Sequence, residues 1–96
     1  MYGTVARLHM KPGSEAELLR LSRDDMRDIS GAVFGYAYRT DADPAVAYLA
    51  VGFESKAAYL ANAGSPEQHE RYLRLRALLT ADPEWHDGEI IFSFPD

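Results

Sequence analysis

Two neighbouring segments, residues 33–40 and 45–54, alternate like strands yet are apolar on both faces. Phe34, Tyr36 and Tyr38 stand against Val33 and Ala37. Val46, Tyr48 and Ala50 stand against Leu49, Val51 and Phe53. Successive side chains of a strand point to opposite sides, and an antiparallel sheet with one wet face shows polar residues on it. Both faces of this sheet therefore need a cover. A chain of 96 residues is one domain, 1–96, with a thin core. Its own helices can cover one face; an identical subunit, laying a second sheet on the other, is the simplest cover for the rest.

The remaining segments complete the pattern. Tyr2 to Lys11 alternates, with Tyr2, Thr4, Ala6, Leu8 and Met10 on one side, and Pro12-Gly13 ends it. Ser14 followed by Glu17 reads as a capping box opening a helix over about 14–30, stopped by Gly31. Asp41-Ala42-Asp43-Pro44 joins the second and third strands as a hairpin. Ser55 caps a short helix that Gly64 ends, and Ser65-Pro66-Glu67 starts a longer one running to about Ala81. Glu89 to Phe94 reads as the last strand. Arg7, mid-strand among apolar neighbours, is expected between two sheets with Glu54 or Glu89 as its carboxylate. The order is βαββαβ, an α+β, ferredoxin-like arrangement: a four-stranded antiparallel sheet with its helices on one face.

Charge and composition narrow the function. Ten basic against fifteen acidic residues leave a net charge of −5, the wrong sign for a nucleic-acid footprint. The absence of cysteine removes disulfides, thiolate catalysis and cysteine–zinc sites. No apolar run approaches the ~18 residues of a membrane span and no secretory pattern opens the chain, so a cytoplasmic protein without a membrane partner is expected. The three histidines, His9, His69 and His86, show no metal-binding spacing, and no metal is expected.

Several stretches occur in an order that carries a resemblance. Arg7-Leu8-His9-Met10-Lys11-Pro12-Gly13 is a strand entering a turn and a capped helix. Phe53-Glu54-Ser55-Lys56 is followed by Ser65-Pro66 and a Leu/Arg-rich helix, and Pro83-Glu84-Trp85 leads into the final strand. Over nearly the whole chain this resembles the antibiotic biosynthesis monooxygenase-like family of dimeric α/β barrels. The resemblance implies a homodimer with two facing sheets and the helices outside. It also implies a ligand cavity between sheet and helices in each subunit. Some members oxygenate anthrones or quinols without metal or flavin, and others degrade haem. Haem degraders carry Asn, Trp and His where Ala6, Asn62 and Tyr72 stand here or nearby; that reading loses its residues, although His69 lies one turn before Tyr72.

The resemblance thus implies a cofactor-independent monooxygenase acting on a small aromatic or quinol-type substrate, with no cofactor. Tyr72, His69 and Asn62 are its candidate catalytic residues: a phenol that orients or deprotonates a hydroxylated ring, an imidazole base, and an amide donor. The same likeness selects Ala6, Leu8 and Met10 as the strand face that binds substrate, the small Ala6 leaving room and the other two forming an apolar wall. The alternatives are a non-catalytic dimeric protein that binds a small apolar molecule, and a haem-degrading monooxygenase.

Overall fold

A computed structural model describes residues 1–95. In chain order the elements are β1 (Tyr2–His9), α1 (Glu15–Arg27), β2 (Ala32–Arg39), β3 (Val46–Phe53), α2 (Lys56–Ala63), α3 (Pro66–Arg76) and β4 (Glu84–Glu89). The strands form one antiparallel sheet in the order β2-β3-β1-β4. This is the ferredoxin-like arrangement expected from the sequence.

Register decides which residues share a face. Thr4 lies opposite Val51 and Asp87, and Ala6 opposite Leu49 and Trp85. Directly opposed side chains lie on one face, so these six all point to the helices. Phe34, which lies opposite Gly52, points the other way with Tyr36 and Tyr38. A Cβ at Gly52 would stand 2.0 Å from the Phe34 ring: that glycine is the seat of the ring, beside a register shift between Ala32 and Phe34.

The tight core occupies one end of the layer between sheet and helices. Ala6, Leu8, Met10, Leu18, Ala47 and Leu79 form it, with Leu8, Leu18 and Leu79 almost wholly shut from solvent. Backbone bonds hold this end closed: the Lys11 N–H donates to the Leu78 carbonyl at 2.9 Å and the Thr80 N–H to the His9 carbonyl at 2.8 Å.

Ser14 does not form the expected capping box. Its backbone is already helical (φ −92°, ψ −6°) and its side chain accepts no cap bond. The hydroxyl instead lies within donor reach of the Lys11 carbonyl (2.7 Å) and the Leu78 carbonyl (3.1 Å). Leu78 follows the end of α3, where carbonyls need partners, and the buried Ser14 is spent there. Glu17 pairs with Arg20 instead. Ser55 and Ser65 do cap, accepting from the Ala58 and Gln68 N–H groups, each at 3.1 Å.

The last strand also departs from expectation. It is Glu84–Glu89, not Glu89 to Phe94. α3 stops at Arg76, and the following residues fold back against Met10, so the chain reaches the sheet edge by Glu84. An edge strand tolerates charges, and these residues are nearly all polar. The more strand-like Ile91, Phe92 and Phe94 are left 94%, 81% and 88% exposed. The shift also changes the partner of Arg7, which lies opposite Glu84 and meets it at 3.6 Å, while Glu89 faces the N-terminal amine.

Two adjacent leucines of α1 separate core from surface. Leu18→Ala should destabilise the fold by about 2–5 kcal/mol through the cavity it leaves. Leu19→Ala, at a 39% exposed position, should cost under about 1 kcal/mol. Urea unfolding midpoints of the two variants check this; equal shifts would show that Leu18 is not a core residue.

Candidate functional site

Beyond Ala6 the layer between sheet and helices opens into a cavity of about 410 Å³. Its floor is the helix-facing side of the sheet: Thr4 from β1, Leu49, Val51 and Phe53 from β3, and Trp85 and Asp87 from β4. α1 contributes Leu21, Ser22, Asp25, Met26 and Ile29 along one side. The Met26 side chain reaches over Gly35, where a Cβ would come within 3.0 Å of its Cε. α2 and α3, bent apart at Gly64 and Ser65, supply Tyr59, Asn62 and Ala63 and then Gln68, His69, Arg71, Tyr72 and Leu75.

Asn62, His69 and Tyr72 all line this one cavity. Ala6, Leu8 and Met10 do not line it. They are 0%, 1% and 6% exposed, packed in the core where Leu18 and Leu79 close over them. The β1 residue that reaches the cavity is Thr4, and the apolar wall comes from β3. Trp85 faces the cavity from β4.

The polar groups fall into two sets. Asn62, Gln68 and Arg71 form one. The Asn62 amide donates to Gln68 Oε1 (3.2 Å) and accepts from Arg71 Nη1 (3.2 Å). Arg71 also donates to Gln68 Oε1 at 3.4 Å and to the Asp28 carbonyl at 3.4 Å. Tyr72 is half-buried, and its hydroxyl has no hydrogen-bond partner among the described residues. His69 is exposed at the cavity rim.

Tyr59, Thr4 and Asp87 form the second set. Tyr59 packs edge-on against Phe53 at 5.4 Å between centroids and tilted against Tyr2 at 5.2 Å. Its phenol is pushed up to about 12, first by burial and second by the Asp87 carboxylate, which favours the protonated form. Asp25, the other carboxylate on the wall, is paired with Arg74 at 3.2 Å. Among the described residues no group of three or more His, Asp or Glu side chains could hold a metal, and no helix is long and apolar enough to cross a membrane.

No family model matches the sequence, and no curated protein matches it. Solved structures do. A variant of SnoaB, a cofactor-independent oxygenase from Streptomyces nogalater, superposes with a TM-score of 0.80 at 17% identity, covering 99% of this chain and 97% of that one. A structure described as an antibiotic biosynthesis monooxygenase gives 0.72 at 15% identity, covering 95% and 99%. A conserved protein from Methanosarcina mazei Go1 gives 0.75 at 16% identity, covering 91% and 89%. The chain has the antibiotic biosynthesis monooxygenase-like fold. At these identities the likeness speaks for the fold and leaves the site to its own residues.

Thr4, Tyr59, Gln68, Arg71, Trp85 and Asp87 were not singled out as site residues from sequence. Trp85 and Asp87 were hidden by the displaced last strand; alternation from Glu84 onward would have put both on the helix-facing side. Nothing in the sequence marks Tyr59 apart from the chain's five other tyrosines.

Tyr59 gives a pH prediction. The folded state holds its proton more tightly than the unfolded chain, about 12 against 10.0. The stability this supplies is intact below pH 10 and is lost as pH rises through 10 to 12. Ultraviolet titration of the phenolates should show one late component that Tyr59→Phe removes and Asp87→Asn moves to lower pH. A late component unchanged by Tyr59→Phe would contradict the assignment.

Proposed function

We propose that the protein is a cofactor-independent monooxygenase of a small hydroxylated aromatic, working as a homodimer. The observation that carries the reading is one cavity of about 410 Å³ with an apolar floor, onto which Asn62, His69 and Tyr72 converge. Support also comes from the fold it shares with a cofactor-independent oxygenase. A volume of this order suits a small flat ligand held by a few polar contacts.

The residues suffice for the chemistry in outline. A base, His69, takes a proton from the activated ring, leaving a carbanion delocalised onto a phenolic oxygen. Tyr72, its hydroxyl free of other partners, donates to that oxygen, and the Asn62 amide orients the ring's second polar group. The carbanion gives its electrons to O₂ and forms a carbon–oxygen bond. The resulting peroxide loses water and leaves a carbonyl: one oxygen atom enters the product and the other leaves in water. The apolar floor excludes solvent that would quench the carbanion.

Oxygen uptake with a panel of anthrones and hydroquinones, with neither metal nor flavin added, should show turnover. Tyr72→Phe and His69→Gln should each lower it by ~10-fold or more, the scale of one lost transition-state contact, with little change in thermal midpoint. Binding without oxygen uptake by any of the panel would instead assign a ligand-binding protein.

The dimer reading rests on the outward sheet face. Val5, Tyr36 and Tyr38 are 42%, 68% and 60% exposed there. A soluble monomer rarely keeps so large an apolar patch in water. Sedimentation equilibrium should give twice the 10.7 kDa chain mass at micromolar concentration, with roughly 2,000 Å² or more buried. Replacing Tyr36 and Tyr38 together by Glu should yield the single chain; a wild-type monomer would overturn the reading.

A further inference from the structure

Five arginines of this chain face carboxylates: Arg7 meets Glu84, Arg20 meets Glu17 and Asp24, Arg39 meets Glu15, Arg74 meets Asp25 and Arg76 meets Asp82. Arg71, the one arginine on the cavity wall, is held differently. Its bonds go to the Asn62 side-chain oxygen at 3.2 Å, the Gln68 side-chain oxygen at 3.4 Å and the Asp28 backbone carbonyl at 3.4 Å. All three acceptors are neutral, and no carboxylate pairs with Arg71 among the described residues.

Such a setting fixes the guanidinium plane without cancelling its charge. A guanidinium carries five N–H groups; the three bonds leave two, one of them on Nε, without an acceptor among the described residues. The planar fork matches a carboxylate or another oxyanion, and the partly buried site strengthens the pairing. The acids on the wall do not compete for it. Asp25 is engaged by Arg74, and Asp87 sits on β4 beside Tyr59.

We propose that the cavity takes its aromatic ligand as an oxyanion, a ring carboxylate or a phenolate, with the anionic oxygen on the Arg71 guanidinium. The inference rests on the reading of the cavity as an aromatic site and names the charge its ligand carries. The uncompensated Asp87 repels the same group, so the ligand is oriented with its oxyanion toward α3 and its neutral end toward β4.

Two matched pairs of probes test this, each titrated by quenching of Trp85, the chain's one tryptophan and itself on the cavity wall. 4-Nitrobenzoate against 4-nitrobenzamide reads a carboxylate. 4-Nitrophenolate against 4-nitroanisole, at a pH where the phenol is ionised, reads a phenolate. The wild type should prefer the anion of at least one pair by about tenfold or more, the scale of a charge-assisted hydrogen bond. Arg71→Met should abolish that preference and leave the neutral probes within about twofold, whereas Arg71→Lys, charged but without the fork, should keep part of it. Equal affinity for both members of both pairs in the wild type overturns the inference even if Arg71→Met does not fold. A preference that survives in Arg71→Met overturns it as well. Neutral probes binding without selectivity would sink the oxyanion alone, while failure of all four to bind would sink the aromatic site beneath it.

Discussion

The hydrogen-bonded pairing of β1 on both of its edges is the constraint from which the other features follow. Tyr2–His9 runs against Phe53–Val46 on one side, and Tyr2–Arg7 against Glu89–Glu84 on the other. A slip of one residue in either ladder would turn every side chain of the slipped strand to the opposite face. Thr4, Val51 and Asp87 line the cavity together only because they are cross-strand neighbours in this register. Arg7 meets Glu84 for the same reason, on the face pointing away from the helices. Site, core and outward face are thus settled by one set of backbone bonds.

The helix layer divides its side of the sheet unequally. At the end where β1 leaves the sheet, Leu18 from α1 and Leu79 from beyond α3 close over Leu8 and Met10 and leave no room. At the other end the cover is made of two short helices meeting at Gly64 and Ser65, which cannot follow the sheet as one straight rod. The space beneath their junction is the cavity. Its polar residues sit beside that bend: Asn62 belongs to the last turn of α2, and Gln68 and Arg71 to the first turns of α3. A helix break and a binding wall are here the same local event, since the break lets residues from two helices bond to each other across it.

Periodicity and turn chemistry made most of the fold legible. The alternation of Tyr2 to Lys11, the caps at Ser55 and Ser65 and the hairpin turn before Val46 all correspond to observed elements. Strength of pattern misled where tertiary demands outweighed local preference. Glu89 to Phe94 is a better strand by composition than Glu84–Glu89, yet the edge of the sheet is reached five residues earlier and accepts a polar strand. Ser14 and Glu17 have the spacing of a capping box, but the hydroxyl is held by the Lys11 and Leu78 carbonyls instead. Asn62, His69 and Tyr72 could be grouped because helical spacing and family likeness both pointed to them. Arg71 could not, because what marks it is a place on the cavity wall with bonds to neutral acceptors, and that depends on how α2, α3 and the end of α1 come together.

β4 joins the two faces that the proposed function needs. Trp85 and Asp87 point into the cavity, while Glu84 and His86, alternating with them, belong to the outward face. As an edge strand with every residue exposed, β4 has hydrogen-bond support on one side only, from β1. Edge strands of this kind open more readily than central ones. A second subunit laid on the outward face would pin Glu84 and His86, and through the shared backbone it would hold Trp85 and Asp87 at a fixed distance from Tyr59 and α3. In the proposed dimer, assembly and the shape of the cavity would therefore be one mechanical problem, because the least supported strand of the sheet carries residues of both surfaces.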